Sequence, residues 1–73
     1  MARRLEETHS FEGIVEHTTA KSRLIEDVQT GIRYWVPRSQ TYDFNDTGAG
    51  TQLFVVSDWF WKKKEDFIVQ PRD

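Results

Sequence analysis

Residues 23–40 read RLIEDVQTGIRYWVPRSQ, and this stretch decides the fold. Two runs of alternating side chains flank Gly31, which tolerates the positive φ of a tight hairpin. In RLIEDVQ (23–29), Leu24, Glu26 and Val28 share one face, and Arg23, Ile25, Asp27 and Gln29 share the other. In IRYWV (32–36), Ile32, Tyr34 and Val36 point one way, and Arg33 and Trp35 point the other. Pro37 has no N–H for a sheet ladder, so it ends the strand or sits on an edge.

Outward from this hairpin the pattern stays β. FEGIVEHTT (11–19) carries β-branched Ile14, Val15, Thr18 and Thr19 and reads as a first strand. AKS (20–22) is a short connection. TYDF (41–44) reads as a short strand, NDTGAG (45–50) as a loop and TQLFVV (51–56) as a fourth main strand. SDWFWKKKEDF (57–67) admits two readings. As a helix it has Ser57 as N-cap and Asp58 at the positive end of the dipole. Trp59, Phe60, Lys63 and Phe67 then fall on one side and Trp61 and Glu65 on the other, which makes Trp61 the most exposed tryptophan. As a strand it runs through Trp61, and Trp59 and Trp61 share a face.

The fold expected is mainly β: a small antiparallel barrel, SH3-like or OB-like, of four to five strands with one short C-terminal helix. Residues 1–9 form a flexible arm, 10–69 the single domain and 70–73 a tail. Tyr34, Val36, Leu24, Val28, Phe54, Val56 and Phe60 are the expected core.

The chain has 73 residues and no cysteine, so neither a disulfide nor a thiolate metal site can stabilise it. Five Phe, three Trp and two Tyr must supply a dense core instead. Ten Lys/Arg against twelve Asp/Glu give a net charge of −2, which argues against tight non-specific DNA binding. No apolar stretch approaches the roughly 20 residues of a membrane span. MARRLEETHS has no apolar signal core. A cytoplasmic location is expected, with no membrane partner.

The run SRLIEDVQTGIRYWVPRSQ, a loop, and TQLFVVSDWFWKKKEDF together resemble a group of small uncharacterised bacterial and phage β domains. In these, a hairpin leads into a Trp-aliphatic-Pro-(Lys/Arg)-Ser-Gln motif, here Trp35 to Gln40. A strand and a short helix opening with Ser/Pro-x-Trp follow, here Ser57 to Trp59. The resemblance covers about residues 11–67 and departs at the longer Tyr42–Gly50 segment and at Trp61. It implies a compact β domain, often beside nucleic-acid-handling genes, with no established activity and no catalytic residue.

Enzyme chemistry is poorly supplied. His9 and His17 lack an evident nucleophile partner, and PRSQ is not a G-x-S-x-G elbow. Pro37, Ser39 and Gln40 read as a structural corner, with Ser39 and Gln40 bonding backbone groups freed at the strand break. Asp43, Asn45, Thr47 and Gly48 open like a calcium loop, but Phe54 stands where the bidentate glutamate belongs, so no metal or cofactor is expected. Trp35 beside Arg33 and Arg38 could offer a stacking platform, and Trp61 with Lys62 a partner anchor. Lys62–Lys64 form the one basic run, largely neutralised by Glu65 and Asp66. The leading expectation is a non-enzymatic interaction module docking on a protein partner. The alternative is a weak single-stranded nucleic-acid binder using Trp35 with Arg33 and Arg38.

Overall fold

The computed structural model describes residues 7–69; the expected tail at 70–73 and most of the expected arm lie outside them. Five antiparallel strands form one sheet in the order β3-β2-β1-β5-β4. They are β1 (Thr8–Thr18), β2 (Ser22–Asp27), β3 (Arg33–Pro37), β4 (Thr41–Asp46) and β5 (Gln52–Ser57). A one-turn 3-10 helix, Arg38–Gln40, joins β3 to β4, the two edge strands of the sheet. Helix α1 (Asp58–Lys63) and a 3-10 turn (Lys64–Phe67) follow β5, which settles the C-terminal ambiguity in favour of the helix.

The sequence-derived boundaries shift at several ends. β1 opens at Thr8 rather than Phe11, with His9 opposite Val56 and Phe11 opposite Phe54. Asn45 and Asp46, read as loop, belong to β4, opposite Leu53 and Gln52. The hairpin loop is longer than a two-residue turn. Gly31 donates its N–H to the Asp27 carbonyl at 2.7 Å and holds φ +77°, as its sequence context required. Ile32 lies outside β3 and is exposed.

Strand alternation assigns β3 correctly and β2 in part. Tyr34 and Val36 are buried while Trp35 lies on the opposite face. In β2, Ile25, opposite Tyr34, enters the core cluster together with Phe11, Tyr34, Val36, Phe54, Val56 and Phe60. Leu24 is buried on the other face, opposite Trp35 and His17. The expected core residue Val28 is 42% exposed, because β2 ends at Asp27 and the chain turns away. Phe11 was missed as core. Its ring stacks on Phe54 at 5.5 Å, and the Phe54 ring in turn stacks on Phe44 at 5.7 Å.

Two local devices bend the sheet. A bulge at Glu16 shifts register between Val15 and His17 and turns His17 to the face of Leu24 and Trp35. At Gly13 an added Cβ would lie 2.6 Å from Ile25 Cγ2 and 2.9 Å from the Glu26 carbonyl oxygen. Glycine is thus what allows β2 to cross β1 so closely.

Ser57, fully buried at the end of β5, ties the two chain reversals together. Its Oγ accepts the Phe60 N–H at 3.1 Å as the N-cap of α1 and donates to Gln40 Oε1 in the 3-10 corner. Gln40 therefore serves a side chain, not the freed backbone groups expected of it. Ser39 is exposed and its hydroxyl makes no hydrogen bond with the described residues, which corrects its expected bonding role. Thr41 Oγ1 instead donates to the Pro37 carbonyl at 3.2 Å.

These placements rank substitutions in urea unfolding. Phe54→Ala should cost about 3–5 kcal/mol, whereas Val28→Ala should stay within about 0.5 kcal/mol. Equal losses at the two positions would contradict the core assignment. A second pair tests the corner. Ser57→Ala should cost about 1–2 kcal/mol through the lost cap and the stranded Gln40 amide, and Ser39→Ala should stay within about 0.5 kcal/mol.

Candidate functional site: a basic corner

The expected binding residues are spread over three places. Trp35 and Arg33 lie on the face of β3 turned away from the core cluster. Arg33 Nε donates to Glu16 Oε1 at 2.8 Å, so its charge is locally paired. Trp35 is half-buried and meets the His17 ring edge-on at 6.1 Å. Arg38 stands at the 3-10 corner, on the opposite side of Pro37.

Trp61 and Lys62 belong to a third place, the junction of α1 with β1. Trp61 is half-buried, not the most exposed tryptophan; that is Trp59, at 47%. The His9 ring stacks on Trp61 at 5.1 Å and 8°, Phe11 packs at 5.8 Å and Lys64 Nζ sits 4.3 Å over the indole. The inward residues of the C-terminal segment thus include Ser57, Phe60, Trp61 and Phe67, so Phe60 and Phe67 lie together as expected while Trp61 joins them. Asp58 anchors this junction: Oδ1 contacts His9 Nε2 at 2.8 Å and Oδ2 accepts from Lys62 at 3.1 Å. Lys62 is consequently an ion-pair partner within the helix.

At the corner itself, the β1–β2 turn and the 3-10 helix enclose a groove of about 390 Å³ lined by Ala20, Lys21, Ser22, Pro37, Arg38 and Ser39. Backbone bonds fix its walls. Arg38 N–H donates to the Lys21 carbonyl at 2.8 Å, and Thr19 Oγ1 accepts the Ser22 N–H at 3.0 Å. The Arg38 guanidinium reaches the Thr19 carbonyl at 3.3 Å. Beside the groove, the Arg23 guanidinium lies 4.4 Å over the Phe44 ring. Lys21, Arg23 and Arg38 make no salt bridge with any carboxylate of the described residues. Burial, and then the neighbouring Arg38 charge, lowers the Arg23 pKa below its ordinary value. Arg23 and Arg38 are thus near enough for one charge to act on the other, and Lys21 lines the same groove as Arg38.

Elsewhere, burial raises the Tyr34 phenol pKa, with Asp27 and Glu65 adding to the effect. Asp43 and Asn45 of the calcium-like run lie on β4 and bond to each other at 3.2 Å, while Thr47 Oγ1 closes the loop by accepting the Ala49 N–H. No group of three or more His, Asp or Glu that could hold a metal ion occurs among the described residues. No helix among them is long and apolar enough to cross a membrane.

No protein-family model, curated protein or solved structure matches this chain.

The Asp58 junction should give an acid limb to stability. Hydrogen bonds from His9, then Lys62, hold the Asp58 carboxyl below the usual carboxylate range. A depressed folded pKa stabilises above the unfolded value of about 4 and ceases to do so as pH falls through the folded value. Asp58→Asn should therefore be less stable than wild type at neutral pH, and the gap should close below about pH 4. Thermal melts across that range check it; a gap independent of pH would rule the carboxylate out as its source.

Proposed function

We propose that this chain is a non-enzymatic interaction module, a five-stranded sheet rolled toward a small barrel of SH3-like or OB-like kind, acting in the cytoplasm. The rolled form is supported by the single 3-10 turn between the two edge strands and by Arg23 of β2 reaching over Phe44 of β4. The non-enzymatic reading is supported by the histidines, both taken up in packing against Trp61 and Trp35.

The observation that carries the proposal is the basic corner groove, where Lys21 and Arg38 stand beside Arg23 without a described carboxylate partner. Such a site recognises negative charge presented in an extended form. An acidic segment of a partner protein and the backbone of a single-stranded nucleic acid both have that form. Trp35 and Arg33 are weaker candidates for the same task, because Glu16 already pairs Arg33.

Inorganic polyphosphate is a direct probe. In an NMR titration, the amides of Lys21, Ser22, Arg38 and Ser39 should shift first. A Lys21→Glu/Arg38→Glu double variant should keep its unfolding transition and lose those shifts. Shifts centred on Lys62–Lys64 instead would place anion binding on the helix and overturn the proposal.

A further inference from the structure

The corner presents more than charge. Phe44 is 39% exposed although its ring stacks on Phe54, and the Arg23 guanidinium is held over it. A planar cation on an aromatic ring is a surface on which nucleobases stack, and every base has a π-face. An acidic peptide would use the cations and leave the aromatic–guanidinium pair without a matching group. Arg38 and Lys21 line the groove; the strand pairing sets Arg23, opposite Val36, next to the groove's Ser22 and Pro37, and Arg38 is close enough to Arg23 to act on its charge. Ser39 adds an exposed hydroxyl for a phosphate oxygen or a sugar.

On the reading of the corner as a binding surface, we infer that its ligand is single-stranded nucleic acid, with backbone phosphates at Lys21 and Arg38 and a base stacked on the Arg23–Phe44 pair. Recognition of this kind is tolerant of sequence, since nothing in it reads a base edge. It excludes a duplex, whose bases are stacked on one another and cannot reach the platform. The short groove and the few cations make the contact local, with about two phosphates engaged and a salt slope of about −1.4 on a logarithmic plot.

The test is fluorescence anisotropy with the full chain and a short labelled oligothymidylate, in parallel with the same strand annealed to its complement and with a labelled poly-glutamate peptide. The single strand should bind most tightly and weaken with salt. Lys21→Gln and Arg38→Gln should each flatten the salt slope by about 0.7. Phe44→Leu and Arg23→Lys should weaken binding while leaving that slope near its wild-type value, a result that loss of charge cannot mimic. Lys63→Gln on the helix should bind as wild type does. Circular dichroism melts confirm that each variant is folded, and Lys21 and Arg38, being exposed, keep the test open should Phe44→Leu unfold. Binding of the peptide but not the single strand would overturn the nucleic-acid inference and leave the interaction module standing. Equal affinity for the duplex would overturn the stacking platform. Loss of binding to all three probes would overturn both readings together.

Discussion

The Ser57 hydroxyl is the point on which both chain reversals depend. It is fully buried, and it uses its donor on Gln40 and its acceptor on the Phe60 N–H. One atom thus fixes where β5 becomes α1 and where the 3-10 corner lies beneath it. The net worth of such a bond is about 1 kcal/mol, yet losing it strands buried polar groups at larger cost. The corner residues Arg38 and Ser39 owe their position to the Gln40 anchor two places and one place on. The corner groove is therefore held by a contact it does not itself include.

From that point an aromatic row runs across the sheet. His9 stacks on Trp61, Trp61 packs on Phe11, Phe11 on Phe54 and Phe54 on Phe44, with Arg23 over the last ring. Rings of this size supply the burial that a cysteine-free chain of 73 residues otherwise lacks. The two ends of the row differ. At the helix end, Asp58 pairs both His9 and Lys62, and the charges are used within the fold. At the β4 end, Arg23 has an aromatic partner but no described carboxylate.

Much of this was legible in residues 23–40. Alternation gave Tyr34, Val36 and Trp35 their faces, Gly31 its turn and Pro37 its strand end, because each rests on local chemistry. The β2 assignment faltered because Ile25 on one face and Leu24 on the other are both aliphatic, and both are buried. Only pairing with Tyr34 shows which belongs to the core cluster. Trp61 misled for a related reason. A helical wheel places Trp59 and Trp61 by angle alone, whereas the Ser57 cap, Phe60 and the His9 stack rotate the segment to bring Trp61 inward. Of the expected binding set, only Arg38 lies at the corner. Lys21 and Arg23 join it through the β2–β3 pairing, Ser22 opposite Pro37 and Arg23 opposite Val36, a long-range register that no local pattern carries.

The net charge of −2 looks unfavourable for any anionic ligand, and as a statement about the whole chain it is. Charge screening makes the local arrangement matter more. At a physiological ionic strength, exposed charges farther apart than about 8 Å are largely hidden from one another. Glu16 is spent on Arg33 and Asp58 on Lys62 and His9, in pairs that project little field. The field at the corner is then set by Lys21, Arg23 and Arg38, and the Arg23 pKa is lowered by burial first and by the neighbouring Arg38 charge second. Holding Arg23 and Arg38 near one another is unfavourable for the fold, and a phosphate placed between them, as proposed, would relieve that repulsion. On the proposed reading, the closeness of Arg23 and Arg38 that disfavours the free protein would favour a complex with an anion, and would do so with a modest number of contacts.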